Sequence, residues 1–253
     1  MEINKNAQDI YLQGGRSGVL MTHGLAGSTN DLSELATALN KENATVLVKR
    51  LAGHGTNVHD LAKTTTDDWA KSLDEGLKKL EQTTDNIMLV GNSFGGDLLV
   101  DLAIRSQHKF TGLVLLATPI YIYGEWWKKI ILPLALPFIF SVKKYWLKDK
   151  NKSEYQLSGG YLEVPLRAFK RFMEFLKISR EQIKRINLPV MLVYSLHDSM
   201  IKPHSAEYIY EKVASQEKKL YWVHDTNHSP LKSEKKHGLF VEIINFYKRH
   251  NHQ

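Results

Sequence analysis

Six short apolar runs punctuate the chain: GVLMT at 18–22, TVLVK at 45–49, IMLV at 87–90, GLVLLA at 112–117, VMLVY at 190–194 and LYWV at 220–223. They are nearly continuous rather than alternating, which marks strands covered on both faces. Between them, apolar residues recur at helical spacing over 32–39, 66–80, 95–105, 206–213 and 238–250. Strand alternating with helix predicts an α/β fold: a mostly parallel sheet with helices on both sides. Each strand run ends in a loop of Gly, His, Ser, Asp or Pro, at the sheet edge where such folds gather their chemistry.

The alternation breaks once. About seventy residues separate Thr118 from the strand at Val190, although a parallel crossover needs only about a dozen. This stretch contains Pro119, Pro133, Pro137 and Pro165 with Trp126, Trp127 and Trp146, and it closes with an amphipathic helix over 166–178. Both ends return to one sheet. The expected organisation is therefore a core of residues 1–119 and 186–253 carrying a mainly helical lid, residues 120–185, over one end of the sheet. Within the lid, the block from Trp126 through Ile130–Leu132, Leu134 and Leu136 to Phe138–Phe140 is apolar on most sides. Such a block is expected to bury itself against the body, to line an acyl pocket, or both.

Composition narrows the chemistry. The 253 residues include no cysteine, which removes disulfides, thiolate metal sites and cysteine nucleophiles. The first fifteen residues lack the apolar core of a signal peptide, and the run 130–140 is too short to span a bilayer; a cytoplasmic location is the expectation. The net charge of +7 raises nucleic acid or an anionic surface as partners. Its distribution sharpens this. Residues 120–185 hold 14 basic and 6 acidic residues, a net of +8, so the core is close to neutral. No zinc motif, aromatic RNA-binding strand or basic docking helix accompanies the charge, so nucleic acid is not expected. A basic lid rich in Trp and Leu suits weak contact with an anionic lipid surface through Lys143, Lys144 and Lys148. The sequence carries no readable signature of oligomeric state.

The sharpest motif is Gly91-Asn92-Ser93-Phe94-Gly95, between a buried strand and a helix. A nucleophilic serine needs a sharp turn there, and a Cβ on either flanking residue would meet neighbouring backbone. Serine also needs a base. Of the eleven histidines, His228 follows the last strand after a short polar loop. His224 is its rival, expected to remain in the strand as a packed structural residue, and His23 and His54 read as turn residues beside glycines. An acid must fix the imidazole tautomer. Asp198 follows the strand at 190–194, whereas Asp225, three residues from His228, suits a local turn. Two N–H groups must then receive an oxyanion. Phe94 supplies one at the helix N-terminus, and Leu25, after Gly24 in His23-Gly24-Leu25-Ala26-Gly27, supplies the other.

The segments MTHGLAGS, RLAGHGTN, LVGNSFGGDL, LPVMLVYSLHDSMIKPHSAEYIY and HDTNHSP resemble the α/β-hydrolase superfamily, and within it the small bacterial carboxylesterases and monoacylglycerol lipases. The resemblance covers the chain outside the lid. It implies a serine carboxylesterase with Ser93 as nucleophile, Asp198 as acid, His228 as base, and Leu25 and Phe94 as oxyanion donors, needing no metal or organic cofactor. The substrate would be a small ester carried as an acyl-enzyme, a chemistry shared by acyl transfer to an alcohol. Asn92 stands where many members carry histidine. A free-amine peptidase would need acidic residues that the basic lid supplies poorly, and an intact Ser, Asp and His set argues against a non-catalytic binding protein. Glu163 and Asn227 are candidate polar anchors for an alcohol or amine, weighed against purely local roles.

Overall fold

The computed structural model describes residues 2–144 and 149–251, without the side chains of Trp127, Lys129 and residues 149–151. Trp146, Lys148 and the Trp127 side chain, all singled out in the sequence, lie outside this description. The main sheet comprises β1 (Ile10–Leu12), β2 (Ser17–Thr22), β3 (Thr45–Lys49), β4 (Asn86–Asn92), β5 (Gly112–Leu116), and, after an intervening ribbon of β6 (Ser141–Lys143) and β7 (Glu163–Pro165), β8 (Val190–Ser195) and β9 (Lys218–Val223). Its spatial order is β1-β3-β2-β4-β5-β8-β9, with β1 antiparallel to β3 and every other pair parallel. All six predicted strands are present. The edge strand β1 and the antiparallel ribbon β6–β7 were not predicted, being only three residues long and lacking a buried apolar run.

Successive residues of the central strands feed two separate apolar layers, as the two-residue side-chain period demands. Leu20, Leu47, Leu89 and Leu113 enter one layer, and Val19, Met21, Val46, Met88 and Val114 the other. The second layer is covered by α1 (Ser33–Lys41) and α9 (Lys236–Asn251). The first is covered by α3 (Thr66–Glu81), α4 (Phe94–Arg105) and α8 (His204–Lys212), with a short unpredicted α2 (Val58–Lys63) before α3. Local signals set the helix starts. Thr65 and Asp68 form a reciprocal capping box at α3, satisfying two N–H groups that would otherwise lack partners.

Between β5 and β8 the chain forms α5 (Glu125–Ala135), β6, α6 (Asp149–Leu157), β7 and α7 (Leu166–Gln182). Helix α7 is continuous with the body. Its Phe172 and Phe175 rings stand edge-on to Phe94 at 5.2 and 5.5 Å, inside the same apolar layer as the sheet. Arg180 reinforces this by donating to the Ile120 carbonyl and the Glu125 carboxylate.

Helix α5 departs from expectation. Among its described side chains only Leu132 is buried, with Ala135 and Leu136 leaning on the core, whereas Trp126, Leu134 and, just beyond the helix, Phe138 are 73%, 70% and 88% exposed. The block does not bury itself on the body. Among the described residues, α7 is the helix of the segment that packs on α5, and a helix packed on one neighbour buries one stripe and leaves the rest outward.

Replacing Phe172 by Ala should destabilise the whole protein by about 3 kcal/mol, the usual cost of emptying a buried phenyl site. Chemical denaturation followed by fluorescence and circular dichroism should show one coincident transition moved to lower denaturant. Two separated transitions would make α7 part of an independent unit.

Candidate active site

Strand β4 becomes helix α4 across a single residue, Ser93, whose φ of 52° and ψ of −129° lie outside the regions side-chain-bearing residues favour. Such backbone persists only where surroundings enforce it, at a cost of order 1–3 kcal/mol. Here the Ser93 N–H donates to the Leu116 carbonyl at 2.7 Å and its own carbonyl accepts from the Gly96 N–H at 2.8 Å. The glycines follow from crowding. A Cβ on Gly91 would lie 2.6 Å from the Gly96 nitrogen, and one on Gly95 would lie 2.6 Å from the His23 carbonyl oxygen. The turn therefore projects the Ser93 hydroxyl above the C-terminal edge of the sheet.

Two loops at the same edge meet it. His228, after β9, places Nε2 3.2 Å from Ser93 Oγ. Its Nδ1 lies 2.9 Å from Oδ2 of Asp198, in the loop after β8. The other Asp198 oxygen accepts from the Met200 and Ile201 N–H groups at 2.7 and 2.9 Å. With the carboxylate holding Nδ1–H, Nε2 presents a lone pair to the hydroxyl, a geometry suited to general-base chemistry. Ser93, His228 and Asp198, predicted from separate segments, thus form one contact chain because β4, β8 and β9 all end at the same edge of the parallel sheet.

The rival residues have other partners. Asp225 accepts from Ser233 Oγ and the Glu234 N–H, a local loop brace. His224 lies beyond the end of β9 and is exposed, correcting the expectation of a packed strand residue. Asn227 Oδ1 accepts from the Ser199 N–H and hydroxyl, stitching the acid loop to the histidine loop. Glu163 accepts from Ser141 Oγ within the ribbon. Among the described residues, no group of three or more His, Asp or Glu side chains gathers to hold a metal ion.

The loop after β2 passes directly beside the serine: a Cβ on Gly24 would lie 2.9 Å from Ser93 Cβ. Among the described residues, the Leu25 N–H has no acceptor, and Phe94 opens α4, where N–H groups lack helical partners. Leu25 follows directly after Gly24, and Phe94 directly after Ser93. The next residue, Ala26, adopts the left-handed region, φ 57°, and its amide polar groups are tied by residues the sequence reading did not assign. His54 Nε2 accepts from the Ala26 N–H at 3.0 Å. The Ala26 carbonyl accepts from the Tyr161 N–H at 3.0 Å, Lys144 Nζ at 2.8 Å and the Tyr155 hydroxyl at 3.2 Å.

The histidines at these turns are fully buried. His54 Nδ1 faces the Ala52 carbonyl, and His23 pairs Nδ1 with the Gly24 carbonyl while Nε2 accepts from the Leu51 N–H. Burial lowers the pKa of His23 and lowers that of His54 well below the ordinary imidazole range. Neutral rings are what these pairings require, since each Nε2 must accept. Their placement beside glycines marked them as turn residues, but nothing local showed them bracing the loop beside the serine.

The sequence model of the serine aminopeptidase, S33 family matches residues 15–236. The thermostable monoacylglycerol lipase of Bacillus sp. (strain H-257) is 27% identical, covering 96% of this chain and 95% of that protein. The carboxylesterase of Bacillus subtilis (strain 168) is 25% identical, covering 94% of each. Among solved structures, a metagenome-derived lipolytic enzyme from the LipS and LipT study superposes with a TM-score of 0.86 at 25% identity, covering 98% of this chain and all of that one. The Paleococcus ferrophilus monoacylglycerol lipase gives 0.81 at 16% identity, covering 99% and 100% of the two chains.

Protonation of the buried histidines gives a test. Their folded pKa values lie below the unfolded value of about 6.5, so below that pH the unfolded chain binds more protons and stability falls with acid. The slope is at most about 1.4 kcal/mol per pH unit for each ring. Denaturation midpoints should be lower at pH 5.5 than at pH 7.5, with the difference shrinking in His54→Gln, which keeps an acceptor for the Ala26 N–H. An unchanged difference would remove His54 from the acid-sensitive set.

The sequence match spans most of the chain and the fold superposes throughout: the chain belongs to the serine aminopeptidase S33 family of α/β hydrolases and is an enzyme of the lipase and esterase type.

Proposed function

We propose that this chain hydrolyses carboxylic esters, short- to medium-chain acyl esters or monoacylglycerols, through an acyl-enzyme on Ser93. The observation that carries the reading is the contact chain from Ser93 Oγ to His228 Nε2 and from His228 Nδ1 to Asp198. Ser93 attacks the ester carbonyl as His228 takes its proton, and Asp198 stabilises the resulting imidazolium. The N–H groups of Leu25 and Phe94 receive the oxyanion. His228 protonates the departing alcohol, then activates water to release the acid.

Esters are favoured over peptides by the names of the similar Bacillus proteins, and Glu163, the carboxylate weighed as an amine anchor, is engaged by Ser141 within its own ribbon. In this reading residues 120–185 act as a lid on a core of 1–119 and 186–253. The outward apolar face of α5 and of the segment through Phe138 then meets the lipid surface that presents the substrate. Lys143, which is exposed, supplies charge beside it. Lys144 is buried and does not, which corrects its assignment to lipid contact.

Replacing Ser93 by Ala should lower turnover of a short-chain p-nitrophenyl ester by about 10⁴ or more. Near-normal activity would sink the nucleophile assignment, and a panel of p-nitrophenyl esters and monoacylglycerols of graded length reads the acyl preference. Co-sedimentation with vesicles containing anionic phospholipid should occur at low salt, fall as salt rises, and weaken in Phe138→Ser and Lys143→Gln. Binding that ignores both substitutions would remove α5 and its flank as the contact.

A further inference from the structure

The Lys144 side chain is delivered from the segment between β5 and β8 into the floor of the loop beside Ser93. Its backbone N–H donates to the Leu162 carbonyl at 2.9 Å, so the β6–β7 ribbon sets where it stands. The side chain is buried, and Nζ reaches the Ala26 carbonyl at 2.8 Å and the Tyr155 hydroxyl at 2.9 Å, over the face of the same tyrosine. The Tyr155 hydroxyl reaches the Ala26 carbonyl as well. Burying an ammonium to serve a single carbonyl is costly, and a methionine would fill the space without that cost. The carbonyl it serves belongs to a residue in the left-handed region, a conformation disfavoured for alanine. Two peptides earlier is the Leu25 N–H.

We propose that Lys144 is a positioning residue for the reaction: its ammonium grips the Ala26 carbonyl and so holds the bend that aims the Leu25 N–H at the carbonyl oxygen of an ester on Ser93. The inference rests on the catalytic reading above and adds a physical link between the lid and the oxyanion site. If the grip loosens, Ala26 relaxes toward ordinary backbone and the Leu25 N–H turns away. Donors to an oxyanion act in the transition state far more than in the ground state, so the loss falls on kcat rather than KM. Burial also lowers the ammonium pKa to about 7, with the Asp31 carboxylate opposing part of that effect. Among the described residues, the titratable groups facing it are Asp31, Tyr155, His23 and His54. Lys144 thus loses its proton around neutrality and grips less firmly as a neutral amine. A histidine base produces only a rise in rate with pH over the same range.

The test compares Lys144→Met, Tyr155→Phe and the exposed control Lys212→Met, at the end of α8, on p-nitrophenyl butyrate, with melting temperatures and fluorophosphonate labelling of Ser93. Lys144→Met should lose at least about ten-fold in kcat with KM within about two-fold, and Tyr155→Phe about three-fold in the same direction. Lys212→Met should match the parent. The parent kcat should decline from pH 7 to pH 9, and Lys144→Met should be flat there. Should Lys144→Met not fold, Tyr155→Phe and the parent pH profile decide. Parent-like kcat in the folded variants, or a profile that does not respond to removing Lys144, overturns the proposal while a labelled Ser93 leaves the catalytic reading standing. An unlabelled Ser93 in the parent overturns both.

Discussion

The architecture turns on one crowded crossing, where β4 must become α4 within a single residue while β2 and β5 stand against it. That crossing forces Ser93 into backbone geometry it would not choose and leaves no room for a Cβ at Gly91 or Gly95. It brings the Gly24 loop against the serine and points the first N–H groups of α4 into the same space. The cost of the strained turn is met by the parallel strands, whose apolar runs are buried on both faces. A flexible serine loop could not keep Oγ within 3.2 Å of His228 Nε2 against the entropy of its own motion.

Beside the crossing lies a second strained position, Ala26, held by different means. Its left-handed backbone sits in a turn closed by the Gly27 N–H donating to the Gly24 carbonyl at 3.0 Å, and polar side chains tie its amide groups. A neutral His54 takes its N–H, and Lys144, Tyr155 and the Tyr161 N–H converge on its carbonyl. Buried hydrogen bonds are strong because the surroundings are dry, and each unmet partner would be costly for the same reason. The loop beside the serine is therefore rigid through chemistry contributed from β3's loop on one side and the β5–β8 segment on the other.

That segment plays two physical parts. Helix α7 is core, its phenylalanines packed on Phe94 at the start of α4. Helix α5 is surface, with large apolar side chains outward. Both are amphipathic or apolar in sequence, and only the number of neighbours distinguishes them. The concentrated positive charge divides likewise: Lys143 faces out and Lys144, adjacent in sequence, faces in, as successive residues leaving a strand must.

The six predicted strands of the sheet and the fold class were legible in the chain alone, because continuous apolar runs of four to six residues have few alternatives to burial in a parallel sheet. The sequence also determined the strand-turn-helix around Ser93 and the loops bearing Asp198, His228 and Leu25, since glycine spacing and strand ends are local signals. It could not show the three-residue edge strand β1 or the β6–β7 ribbon, whose pairing rests on backbone contacts with distant segments. Nor could it separate the buried Lys144 from its exposed neighbour, or reveal that His54 and Tyr155 serve the same alanine. Those outcomes were decided only by the tertiary structure, because burial and hydrogen-bond partnership are properties of what chain-distant residues place around a group, and no local pattern carries them.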